Sequence, residues 1–271
     1  MSGPLSLDRL WRETLADTRA LMPLALPVAA ALVMLPNVLI ERYGPPLQPV
    51  AAVPSSTNAS PAANAAEGGS AIARPAQSLP LPRATPRLAE RLTPRVLLIN
   101  LLLPSLIGLF AQAAIIRLAL DRRAGVSRSV GEALVAAIRL WPLIVVVVFA
   151  SALPIGFGLL ALVVPGLYLA GRLTLAVPLV VEGVAPVAAL ERAWALSAGN
   201  GWRIIGFTLL IAGWFFLISA VAGAVGAGAV ALLHGVPGVG PIVASVLDGL
   251  VAALFTVVNA VAVATVYRLL R

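Results

Sequence analysis

"ALERAWALSAGNGWR", residues 189–203, stands between two runs too apolar for a water-soluble domain. "LTLAVPLVV" ends just before it at Val181, and "IIGFTLLIAGWFFLISAVAG" begins just after it at Ile204. The second run alone would form a helix of about 30 Å, the thickness of the hydrocarbon core of a bilayer. The quoted stretch therefore joins two membrane crossings. Pro186 suits a helix start, Val187, Leu190 and Trp194 form an apolar stripe at helical spacing, and Gly199 with Asn200 suits a C-terminal cap. The pattern predicts an interfacial amphipathic helix over 186–198.

Composition agrees with a membrane protein. Of 271 residues 60% are hydrophobic and 11% charged, with mean hydropathy +1.00, where a soluble domain carries about 25% charge. The basic residues are all arginine, and their excess over the acids gives a net charge of +8. They sit mostly at the ends of apolar runs, so their expected counter-ions are lipid headgroups and not nucleic acid. The absence of lysine beside so much Ala, Gly, Pro and Arg points to a GC-rich bacterial genome. With no cysteine in the chain, disulfides, thiolate nucleophiles and Cys-based metal sites are excluded.

Six spans follow from the apolar runs. Residues 1–20 read as a cytoplasmic amphipathic segment, with Leu7, Leu10, Trp11 and Leu15 on its apolar face. Residues 21–40 read as the first transmembrane helix, too long for a signal-peptide core and preceded by too acidic a segment for one. Residues 41–94, rich in Pro and Ala, are expected to be a disordered outer loop. Residues 95–271 hold five more spans, at about 95–120, 141–162, 167–181, 204–233 and 241–266, with a Pro165-Gly166 turn before the fourth. The fold class is thus all-α, a polytopic helical bundle.

A second interfacial helix is expected at 129–140, opened by the capping-box pair Ser129 and Glu132. Val130, Leu134, Ala137, Ile138 and Trp141 share its apolar face. An Ala-Leu pair recurs in both interfacial helices, at 133–134 and 189–190, which suggests a parallel repeat. With the N-terminus inside, 11 arginines fall on the cytoplasmic side and 6 outside, so both termini are expected in the cytoplasm. The outer ones include Arg83, Arg87, Arg91 and Arg95, read as a solvated juxtamembrane face.

From Val163 to Leu210 the chain resembles the membrane-domain-like proteins related to glycerophosphoryl diester phosphodiesterase. The matching positions are Pro165, Gly166, Arg172, Glu182, Gly183, Ala189, Leu190, Trp194, Leu196, Gly199, Asn200 and Trp202. Ala193 departs from the pattern, where relatives often have Ser. In some relatives such a region precedes a soluble catalytic barrel. The resemblance implies a bacterial inner-membrane protein in which these positions are structural, and it carries no barrel here.

Little in the sequence suggests catalysis. The single histidine, His234, cannot supply the pair that phosphodiester hydrolysis would need, and the eleven acids show no metal-ligand spacing. No enzyme activity and no cofactor are expected. Arg172 is the sharpest residue: near the middle of span four, its charge would cost about 2.5–3.5 kcal/mol on insertion scales. Asp248 and Asn259 in span six are its candidate partners, in either a structural pair or a grip on an anionic substrate. Arg117 is expected to snorkel to headgroups. Small residues at Ser219-Gly223, Ala222-Gly226 and Ala224-Gly228 allow close helix approach within the chain or with a second copy or another membrane protein. The leading expectation is a non-catalytic, lipid-interacting or accessory membrane protein. A small transporter or lipid carrier gripping an anion at Arg172 is the alternative, and a membrane-bound enzyme the third.

Overall fold

The computed structural model describes residues 6–43, 98–126, 129–233, 235–236 and 238–271. Beyond its first three residues the loop expected at 41–94 lies outside these, as do Arg128, His234 and the arginines from Arg83 to Arg95. Helix α1 (Leu7–Ala29) runs through a π-helical turn (Ala30–Met34) into α2 (Leu35–Tyr43). A second π-helical turn (Leu98–Leu102) opens α3 (Leu103–Arg123), followed by α4 (Val130–Ala161), α5 (Val163–Leu173) and α6 (Ala176–Val181). Then come α7 (Pro186–Leu196), α8 (Gly201–Leu232) and α9 (Val239–Leu270). Six stretches are long and apolar enough to span a membrane: Leu7–Ile40, Leu98–Arg123, Val130–Ala161, Val163–Val181, Gly201–Leu232 and Val239–Leu270. The protein is an all-α, multi-pass membrane bundle.

Helix α9 is its axis. It packs against α8, α1 and α3, and every residue from Ala260 to Tyr267 is buried. Alanines at 260, 262 and 264 let three neighbours approach at once, because in lipid it is close backbone packing that holds helices together. Helix α4 lies at the edge and turns Phe149, Leu153, Phe157 and Leu160 outward, the last 86% exposed. Large side chains facing hydrocarbon lose nothing there that burial would return.

The same rule, small residues inward and large ones outward, corrects several expectations. On α7 the inward residues are Ala189, Ala193 and Ser197, whereas Val187 and Trp194 face out. At the start of α4, Ala133 and Ala137 are buried while Val135 and Ile138 are exposed. On α1, Leu10 is buried but Leu7, Trp11 and Leu15 are not; Thr14, Asp17 and Thr18 turn inward instead. Amphipathicity read for a protein in water picks the wrong face for one in lipid.

Two element boundaries also differ. Residues 129–140 do not form a separate helix: the capping box at Ser129 and Glu132 is present, but α4 continues through Pro142 into span three. A proline removes one backbone bond, which a membrane helix tolerates. By contrast α7 is a separate helix, because Gly199 adopts φ +76°, open to glycine at little cost. The two segments are thus not equivalent units. Likewise the segments expected at 1–20 and 21–40 are joined: from Leu7 to Ile40 the chain is one continuous helical stretch with no cap inside it.

The turn between spans three and four is not at Pro165-Gly166. Leu162 alone makes it, in extended conformation (φ −161°, ψ 138°), and Pro165 and Gly166 lie in the first turn of α5. Gly166 is needed for contact: a Cβ there would come within 2.5 Å of the Leu159 backbone nitrogen. Among the small residues of span five, Gly226 packs on Ala244 of α9, a contact within the chain, while Gly223 and Gly228 face open space.

Candidate functional site

Ionisable side chains gather at the end of the bundle where α1 begins and α9 ends, here termed the ring face. Asp17 of α1 pairs with Arg123 of α3 and with Arg268 of α9, the latter at 3.5 Å. It also accepts a hydrogen bond from the Thr265 hydroxyl, 3.2 Å away. Glu13, one turn earlier, meets Arg268 and, at 2.8 Å, Arg9. On the other side of α9, Glu182 accepts from Tyr267 at 2.8 Å and pairs with Arg271 at 2.7 Å. These contacts tie α1, α3, α9 and the end of α6 to one another. The arginines are partly exposed, so most of the pairs contribute about 0–1 kcal/mol each. Asp17, whose side chain is 7% exposed, depends on them more, since a buried carboxylate without its partner is costly.

Arg117 joins this ring and does not snorkel outward. Its Nε donates to Asp121 at 3.0 Å and its Nη1 to the Val181 carbonyl at 2.9 Å. Val181 ends α6, where unsatisfied carbonyls attract a cation. Glu182 and Gly183 complete that helix end: Gly183, at φ +94°, donates to the Val180 carbonyl and Val184 to that of Leu179, a Schellman motif.

Arg172 is 8% exposed and does not meet Asp248 or Asn259. Its Nε donates to Ser197 Oγ at 2.9 Å, its Nη2 to the Trp194 carbonyl at 2.5 Å, and its Nη1 to the Tyr168 hydroxyl at 3.4 Å. The guanidinium carbon stacks 3.5 Å from the centroid of the Trp194 ring. Among the described residues no carboxylate pairs with it; the last turn of α7 does, with its oriented carbonyls and an aromatic face. Arg172 is at the middle of span four, Val163–Val181. A Cβ on Gly201, the first residue of α8, would sit 3.5 Å from its Cγ, so it lies level with the start of span five, beside Trp202 and Arg203. Trp202 packs 5.5 Å from Tyr168 and is 63% exposed, as an aromatic at the headgroup level would be. Asn200 caps α8, and Leu190 packs partly buried on the core.

Depth along the helices can be measured from the ring. Asp17 to Asn37 is twenty residues of helix, about 30 Å, and Thr265 to Asp248 is seventeen, about 26 Å. Both figures are close to the thickness of a hydrocarbon core, about 30 Å, so Asp248 stands about one span's length from the ring. Arg172, beside the start of α8, and Asp248 are thus far apart along the bundle. Asn259 lies between these levels, half-buried on α9.

Several grooves open at the two ends. One at the ring face, of about 610 Å³, is lined by Arg117, Glu132, Arg139, Val181 and Glu182 together with the apolar Val135 and Leu140. Arg139 is exposed and has no ion-pair partner among the described residues. At the opposite level lies a second groove of about 580 Å³ beside Asp248. Among the described residues no three His, Asp or Glu side chains are placed to hold a metal ion.

Sequence reasoning missed Tyr168, Ser197, Asp17, Thr265 and Tyr267. The Arg172 partners were hidden because the strongest acceptor is a backbone carbonyl, and the Asp17 contacts because they join residues 248 positions apart. Set against protein-family models, curated proteins and solved structures, the chain finds no match.

Proposed function

We propose that this chain is a non-catalytic, lipid-interacting protein of a bacterial inner membrane, with the ring face in the cytoplasm. The carrying observation is the ring-face groove. It presents Arg139, without an ion-pair partner among the described residues, beside Arg117 and the apolar Val135 and Leu140. A phosphate held by arginine with its acyl chain along Val135 and Leu140 suits that arrangement. Most other charged groups nearby are engaged in joining helices, which leaves few for chemistry. Arginine placement favours the cytoplasm for this face. The resemblance to the phosphodiesterase-associated membrane-domain proteins fits an accessory role beside another membrane protein. Anion transport through Arg172 is the weaker reading, since that side chain is committed to α7.

Native mass spectrometry of the protein purified with its lipids tests this, wild type beside Arg139→Ala. A retained anionic phospholipid that is lost in the variant is the expected result. Equal retention by both forms, or none by either, would remove the proposal.

A further inference from the structure

The groove at the opposite end has the reverse chemistry. Asp248 is its one charged lining residue among those described, and it is exposed on α9 with no ion-pair partner among them. Glu13, Asp17 and Glu182 on the ring face each meet an arginine; Asp248 does not. Around it stand Phe215 and Phe255, ring centroids 5.1 Å apart in an edge arrangement, together with Phe216. Asn37 and Ser219 add neutral polar groups at the rim. The groove falls within the usual ligand-site range of about 300–1,000 Å³.

A carboxylate beside phenyl faces selects an organic cation, because the ring quadrupole and the anion both attract positive charge. The depth and the apolar walls select one that carries a hydrocarbon chain. Phe216 is 78% exposed on the outer side of α8, so the groove opens sideways into lipid. We propose that it binds a bilayer amphiphile with an ammonium headgroup, Asp248 serving as counter-ion and the phenylalanines as walls. The source is the bilayer, not a soluble cation. This site is independent of the anion groove at the ring face.

The full chain in nanodiscs of neutral lipid is titrated with a dioleoyl lipid bearing a trimethylammonium headgroup, with dioleoylglycerol as the chain-matched neutral probe. Binding is read by native mass spectrometry. Wild type should prefer the cationic lipid about tenfold, the scale of one ion pair combined with a cation–π contact. Asp248→Asn should abolish the preference and Asp248→Glu restore it. Should Asp248→Asn fail to fold, Ser219→Trp, at an exposed position on α8, fills the groove without touching the charge and should block the cationic lipid. No preference in wild type, or a preference that survives both Asp248→Asn and Ser219→Trp, would overturn the proposal. Complete displacement by equimolar tetramethylammonium would also overturn it, since the chain would then contribute nothing.

Discussion

Replacing Arg172 by leucine should loosen the bundle at the joint between α5, α7 and α8. Two short charge-assisted hydrogen bonds disappear, to Ser197 and Trp194, worth about 1.5–3 kcal/mol each. The stacking on Trp194 adds about 0.5–2 kcal/mol. Against these stands the desolvation of a nearly buried guanidinium, several kcal/mol, which leucine no longer bears. The vacated carbonyl is not orphaned, because Ser197 Oγ already donates to it at 3.1 Å. The net loss is about 3 kcal/mol, or roughly 6–12 °C in melting temperature for a chain of this size. Lysine would keep the charge at the end of α7 but lose the fork and the stacking, and should fall about midway. Thermal unfolding in detergent, followed by intrinsic fluorescence, reads the shift, and the Trp194 emission should change as the cation leaves its ring. An Arg172→Leu protein melting within about 2 °C of wild type would refute the joint.

Four further outcomes follow from particular contacts. Asp17→Asn should lower the stability through the loss of Arg123 and Arg268, by about 1–3 kcal/mol given that both arginines are partly exposed; thermal unfolding checks it. Gly166→Ala should cost at least about 1–3 kcal/mol, because its Cβ meets backbone that cannot move aside, and folded yield after detergent extraction reports it. Arg139→Ala should leave the stability within about 0.5 kcal/mol of wild type, separating lipid retention from stability. Because the chain has no cysteine, Ser6→Cys and Val236→Cys offer single labelling sites. An impermeant maleimide on intact cells should reach Val236→Cys only, and Ser6→Cys only after permeabilisation, if the ring face is cytoplasmic.

The spans were legible because about 20 apolar residues in a row have few alternatives. The capping box at Ser129 and the glycine after α7 were legible for local reasons, one a side-chain bond and the other a backbone conformation. What escaped was direction. Asp17, Thr14 and Thr18 look like the wet face of an amphipathic helix, yet they turn inward, where Asp17 meets Arg123, Arg268 and Thr265 from other helices. Depth escaped too. Counting along span four could not show that the break after Leu173 and the approach of α7 bring Arg172 beside the first turn of α8. Side-chain matching then offered Asp248, although a carbonyl and a serine already hold the guanidinium.

Arg172 and Asp248, far apart along the bundle, should lie at opposite headgroup levels with hydrocarbon between them. Spin labels on single cysteines in liposomes test this most directly, at Ala198 beside the Arg172 joint, at Leu250 beside Asp248 and at Leu210 between the two levels. Depth is read from the ratio of oxygen to nickel-chelate collisions. The account predicts Ala198→Cys and Leu250→Cys within about 5 Å of the headgroups and Leu210→Cys clearly deeper. A label at Ala198 or Leu250 found near the bilayer midplane, at about 15 Å, would contradict it.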